Sequence, residues 1–255
     1  MNPKFTAQKS KIDPLFKYRK IPWLLDLANI KNQSFEKRLK KLQAAIYDLD
    51  SYLEATWKTK QKDLKSYWIK IYESLAAFGL SKKEQIEWTS QIRKYQEHEL
   101  SARKKKTPLR FSLRHLYYYK SCDVKLTRRL IYREAPGLAK LVKVTDWTAF
   151  DLITEVNDDI QDVYEDMSIY NCNRFLFEIH KNGKRNAQKI FESFIKESMK
   201  ANRQRWQKRK IGNRARQVDT WTQEIGEQTL ALLTKRLNQK KINQIDTAII
   251  LKKVY

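Results

Sequence analysis

KLQAAIYDLDSYL (41–53) sets Leu42, Ile46, Leu49 and Leu53 at i, i+4, i+7 and i+11, which is one face of an α-helix. DLKSYWIKIYESL (63–75) repeats the spacing with Leu64, Trp68, Ile71 and Leu75, and Trp57 lies between the two stripes. Outward from this pair, no segment shows sustained alternation of period two. Breaks fall at Gly79 with Ser81, at Lys104–Lys106 before Pro108, at Pro136–Gly137, at Asn182–Gly183 and at Gly212–Asn213. SKKE (81–84) reads as a capping box that opens the next helix. Between the breaks lie helices of roughly 15 to 30 residues. With neither repeat nor Ser/Gly linker, the expectation is one all-α domain over 21–255, preceded by a basic segment at 1–20.

Composition agrees. Only five Gly and five Pro punctuate 255 residues, too few turn residues for sandwiches, barrels or low-complexity chains. Aromatic residues make up 12%, which excludes a disordered polybasic tail. Lys and Arg number 53 against 29 Asp and Glu, a formal charge of +24 that makes a polyanion such as nucleic acid the default partner. Two cysteines, Cys122 and Cys172, supply no disulfide framework. MNPKFTAQKSKIDPLFKYRK (1–20) lacks the apolar run of a secretory leader, and no stretch approaches 18 apolar residues. A soluble, cytoplasmic protein without a membrane span is expected.

The charge is unevenly placed. Val144–Asn173 contains no Lys or Arg in 30 residues, a gap expected by chance about once in a thousand windows. The same window holds eight acids: Asp146, Asp151, Glu155, Asp158, Asp159, Asp162, Glu165 and Asp166. The reading is a single helix over Asp146–Ile169 with two polar stripes, Asn157, Gln161 and Glu165 on one and Asp158, Asp162 and Asp166 on the other. Carboxylates stacked at i, i+4 repel unless a cation lies between them, and oxygen ligands of this kind suit Mg²⁺. The alternatives are a solvated acidic face and a partner for the basic helices elsewhere.

NDxxQxxxE (157–165) resembles the metal-binding signature (N/D)Dxx(S/T)xxxE of class I terpene synthases. The continuation Tyr170-Asn171-Cys172-Asn173-Arg174-Phe175-Leu176, then EIHKNG (178–183), is similar to that family's helix and Gly-marked turn. DDIQDVYED (158–166) also resembles the second aspartate motif of trans-prenyl diphosphate synthases, which share the fold. TPLRFSLRHLYYYKSCDV (107–124) looks like the helix that ends in a diphosphate-sensing Arg three residues before an Asp, with Lys120 and Asp123 in those places. WTQEIGEQTLALLTKRL (221–237) resembles the C-terminal Trp…Gly…Arg segment, with Gly226 and Arg236 ten residues apart. The first aspartate motif reduces to Asp26 in WLLDLANIKN (23–32), with YDLDSYLE (47–54) and its Asp48 and Asp50 as a rival.

The resemblance implies an all-α class I isoprenoid synthase helical bundle around a central cavity, acting as a carbon–oxygen lyase on an acyclic prenyl diphosphate. It implies Mg²⁺, with Mn²⁺ as a substitute, on Asn157, Gln161, Glu165, Asp158, Asp162 and Asp26. Lys120 and Arg236 are implied as diphosphate ligands and Asp123 as the link from Lys120 to its helix. Trp23, Tyr117, Trp147, Phe150 and Trp221 are candidate walls for a carbocation. The alternatives are a prenyl diphosphate synthase-like enzyme, a catalytically impaired relative, and a basic helical nucleic-acid binder. The last would use KRNAQK (184–189), RQRWQKRK (203–210) and NRAR (213–216) with Trp206.

Overall fold

The apolar stripes at 42–53 and 64–75 are helices in the computed structural model, which describes residues 3–104, 106–169, 171–208 and 212–247 and the side chains of those from 11 to 243. Tyr170, Arg209 and Lys210 lie outside the described residues. In chain order the α-helices are α1 (Pro3–Tyr18), α2 (Ile21–Leu27), α3 (Gln33–Ala55), α4 (Gln61–Ala76), α5 (Lys82–Trp88) and α6 (Ser90–Ala102). They continue as α7 (Leu113–Lys120), α8 (Cys122–Glu134), α9 (Leu138–Leu141), α10 (Thr148–Gln161), α11 (Val163–Asp166), α12 (Arg174–Gln207) and α13 (Asn213–Leu237). Short 3-10 turns occupy Pro108–Arg110, Val144–Trp147 and Lys240–Thr247, and no strand occurs among the described residues. The chain is all-α. None of these helices is long and apolar enough to cross a membrane.

The helices gather into two compact units, one holding residues up to Arg93 with Cys122–Lys140, the other Lys94–Ser121 with the residues from Leu141 on. In the first, α3 packs on α4 through the expected stripes, with Leu42, Ile71 and Leu75 fully buried and Leu49, Leu53, Leu64 and Trp68 nearly so. Ser81 and Glu84 form the capping box, Ser81 N–H donating to Glu84 (2.8 Å) and Glu84 N–H to Ser81 Oγ (3.3 Å). The segment set apart as basic at 1–20 carries α1, whose Ile12 and Phe16 are buried and which packs on α2 and α3. Arg128 is buried in α8 and donates to the Arg19 carbonyl (3.0 Å), while Gln43 of α3 donates to Asp123 (2.8 Å).

In the second unit α10 is the hub, packed against α7, α12 and α13. Its apolar face is Leu152, Ile153, Val156 and Ile160, all buried. Asn173 caps α12 by accepting the Leu176 N–H (2.9 Å). At Asn182–Gly183 the expected break is a kink inside α12, where Gly183 takes φ 79°, a left-handed value that a Cβ would strain. Gly226 lets α13 lie close against α12: a Cβ there would stand 2.3 Å from Met199 Sδ.

Candidate functional site

The acid-rich window is not one continuous helix. A 3-10 turn covers Val144–Trp147, α10 runs to Gln161, and Asp162 (φ −93°, ψ 6°) bends the chain into α11. The Asp162 N–H still reaches the Asp158 carbonyl (2.9 Å) and the Asp166 N–H the Asp162 carbonyl (2.8 Å). The Gln161 carbonyl instead accepts Arg236 Nη2 of α13 (2.8 Å), a side chain inserted at the bend.

The bend sorts the acids into an interior and a rim. Inside, Asp159 is fully buried and accepts Tyr117 Oη (2.8 Å), the Arg174 N–H (2.8 Å) and the Lys120 ammonium. Asn173, also fully buried, donates to the Asp159 carbonyl (2.7 Å) and to the Asp166 carboxylate (2.6 Å). Arg174 pairs with buried Glu178 one turn on (2.8 Å). Tyr117 and Lys120 come from α7 and Asn173 opens α12, so this network ties three helices at one end of α10.

The electrostatics follow from that placement. Burial opposes the Lys120 ammonium, but Asp159, then Glu155 and Asp166, outweigh it and hold its pKa well above the ordinary value. Burial and then the Asp159 charge push the Tyr117 phenol up as well. The Asp166 carboxyl is raised to about 6, chiefly by burial, with Lys120 and Asn173 opposing and Asp159 reinforcing.

On the rim, Gln161, Asp162 and Glu165 are exposed and Asp158 is half-buried. Partial desolvation raises the Asp162 carboxyl; Lys120 and Arg236 pull it down, and Glu165 and Asp159 push it up. These groups thus share one local field at the C-terminal end of α10. Arg236 is held there by the Gln161 carbonyl and by the Tyr164 ring (5.1 Å), and Tyr164 Oη and Arg236 Nη1 both donate to Gln239 Oε1 (2.7 and 3.3 Å). Its Nε has no hydrogen-bond partner among the described residues.

Of the remaining expected residues, Asn157 belongs to the second unit and Asp26, Asp48, Asp50 and Asp123 to the first. Asn157 is buried and donates its amide to Thr229 Oγ1 of α13 (3.0 Å). Asp26 is exposed on α2, and Asp48 and Asp50 stand on α3, all in the first unit. Asp123 belongs to that unit too, where its carboxylate takes Gln43 and the Val124 N–H (2.6 Å). Of the aromatic candidates, Tyr117 meets the network. Trp147 stacks on Trp221 (6.4 Å) and meets Phe150 edge-on (5.9 Å), forming core at the opposite end of α10, about 20 Å away by helical rise. Trp206 is buried within its basic run.

No protein-family model, no curated protein and no solved structure matches this chain. The site is therefore read from its own chemistry. No three His, Cys, Asp or Glu side chains form a ready-made metal cluster among the described residues. Mg²⁺ does not require one, because it binds through one or two carboxylates and completes its shell with water and phosphate oxygens. The exposed Asp162 and Glu165, beside half-buried Asp158 and with Asp162 already proton-hungry, fit that mode.

Asp159, Asp166 and Asn173 carry the interior network; Asp159 and Asn173 stand on neither of the two expected polar stripes, and Asp166 is expected on the second with Asp158 and Asp162. A signal for the two acids existed. Leu152, Val156, Asp159, Val163 and Asp166 follow the i+3, i+4 spacing of the apolar face, so both acids occupy slots where the helix is buried.

Proposed function

We propose that the second unit ionises an acyclic prenyl diphosphate with the help of Mg²⁺ bound at the end of α10. The observation that carries this reading is the convergence at the bend between α10 and α11: Arg236 of α13 bonds the Gln161 carbonyl, Lys120 of α7 pairs with Asp159, and Asp162 and Glu165 stand exposed beside them. Asp162 and Glu165, with Asp158 and Gln161 beside them, would hold the cation, which would supply neutralisation of charge on the diphosphate leaving group. Lys120 keeps its charge at neutral pH because Asp159 holds it protonated, and it presents that charge toward the diphosphate. Arg236, fixed by the Gln161 carbonyl and Tyr164, offers further guanidinium N–H groups. The allylic C–O bond breaks heterolytically, its electron pair leaving with the diphosphate, and the cation then loses a proton or takes up water.

Asp159 acts through Lys120 and is a positioning residue. The test incubates the protein with geranyl, farnesyl and geranylgeranyl diphosphate plus Mg²⁺, assays released diphosphate and extracts the organic products. Release that requires Mg²⁺ and drops at least a hundredfold in Glu165→Gln is expected. Full activity in a Glu165→Gln, Asp162→Asn double variant, or no release with any of the three substrates, overturns the reading. A longer diphosphate in place of a hydrocarbon or alcohol reassigns the same site to chain elongation.

A further inference from the structure

At the other end of α10 a cleft of about 260 Å³ adjoins a groove of about 530 Å³, and Arg114 of α7 and Ser198 of α12 line both. Ser198 is 2% exposed and its Oγ has no hydrogen-bond partner among the described residues. A buried hydroxyl in that position calls for one. Arg114 is exposed and makes no ion pair or hydrogen bond among the described residues. Arg205 closes the far side of the cleft, donating Nη1 to the Thr145 carbonyl (2.6 Å) and standing 3.9 Å from Asp146, which leaves the rest of its guanidinium for a ligand. Thr148 lines the same cleft at the first turn of α10, its N–H and Oγ both donating to the Thr145 carbonyl that also takes Arg205.

The groove has a different character. Leu113, Phe194 and Ile190, the last 39% exposed, make its apolar floor, and Lys189 stands with Arg114 at its edge. Glu197 also lines it and accepts Ser193 Oγ (2.7 Å), so Arg114, Lys189 and Arg205 face a single lining carboxylate across the two cavities. A polar, cationic cleft continuous with an aliphatic trough matches a molecule that is anionic at one end and aliphatic along the rest.

We propose that this composite cavity binds a free phosphate-headed aliphatic amphiphile. Its phosphate lies among Arg114, Arg205 and Ser198, and its chain runs along Leu113, Ile190 and Phe194. The site lies at the opposite end of α10 from the rim described above and needs no metal, so it is a second site beyond the proposed diphosphate chemistry. Nucleic acid is the lesser match, because Trp206, the aromatic residue of the basic run, is buried and offers no stacking face.

The test titrates octyl phosphate into the full chain in EDTA, followed by calorimetry, with inorganic phosphate, octanol and vesicles of phosphatidylcholine with phosphatidic acid as parallel arms. Octyl phosphate is expected to bind at least tenfold more tightly than phosphate or octanol. Arg114→Ala and Ile190→Glu are each expected to weaken it tenfold or more with unchanged circular dichroism. Ser198→Ala should weaken it several-fold, and Lys200→Ala, which lines neither cavity, should leave it unchanged. Equal binding by Arg114→Ala and wild type, equal affinity for inorganic phosphate, or binding to the vesicles alone overturns the proposal. So does displacement of octyl phosphate by a single-stranded oligonucleotide. Turnover of a prenyl diphosphate is not the readout, so failure here leaves the metal-dependent reading standing.

Discussion

The α3–α4 pair of the first unit and α10 of the second are written with the same helical period, yet α10 buries charged and polar side chains beside its apolar ones. Between α3 and α4 the buried face is Leu, Ile and Trp, with lysines on the solvent side. α10 buries Asp151, Glu155, Asn157 and Asp159 among Phe150, Leu152, Ile153, Val156 and Ile160. An apolar interface can relax around a lost side chain, whereas a buried ion that loses its partner has no comparable recourse. The sharpest way to break this contrast is Asp159→Ala, which strands Lys120 and should cost about 4 kcal/mol at neutral pH in urea unfolding. Leu75→Ala, which empties a fully buried site between α3 and α4, should cost about 3 kcal/mol.

The two costs differ more in kind than in size. With Asp159 absent, burial depresses the Lys120 pKa, so the penalty is largest where the ammonium persists and narrows as pH rises toward the unfolded lysine value. The Leu75→Ala cost is independent of pH. Equal pH profiles for the two variants would remove the distinction between the regions.

The second unit also holds two groups whose titrations oppose each other. Asp166 sits at about 6 in the fold, above its ordinary 3.8, so the folded state takes its proton first and stability rises as pH falls from about 6 to 4. His98 is 4% exposed, with neither ring nitrogen hydrogen-bonded among the described residues. It lies within ring-contact distance of Phe111, His115 and Tyr119. Burial, then the charges of His115, Lys94 and Arg110, lower its pKa from 6.5 to about 4, so the unfolded chain takes that proton first and stability falls over nearly the same interval. Each of these two titrations is worth about 3 kcal/mol across its window at about 1.4 kcal/mol per pKa unit. His98→Phe should therefore gain stability between pH 6 and 4 relative to its neutral value, and Asp166→Asn should lose it. Matching slopes in the two variants would show that neither group governs acid stability.

What the sequence made legible follows from this contrast. Leu42, Leu49, Leu64 and Leu75 declare themselves, because an apolar side chain at helical spacing has one favourable place to go. The capping box at Ser81 is equally local: its donors and acceptors lie within four residues. Asp158 and Asp159 are neighbours of identical type, and only the partners brought by α7 and α12 decide that one stays half-buried at the rim and the other meets Lys120, Tyr117 and the Arg174 N–H. The bend at Asp162 is equally remote in origin, since it is Arg236 of α13 that takes the carbonyl released there. The acid-rich window was visible as a departure in composition. Its division into interior and rim belongs to tertiary contacts.

That division yields the smallest expected change in stability and the one with most bearing on function. Glu165 is exposed on α11 and takes no part in the Asp159–Asn173 network, so Glu165→Gln should move the unfolding free energy by less than about 0.5 kcal/mol. It removes one of the rim carboxylates offered to a divalent cation and should abolish Mg²⁺-dependent diphosphate release. A variant that folds like wild type and fails only when Mg²⁺ and diphosphate meet assigns the rim to chemistry and the interior to architecture. If Glu165→Gln instead destabilised the fold as Asp159→Ala does, rim and interior would be one structural network, and the separation drawn at Asp162 would fail with the function built on it.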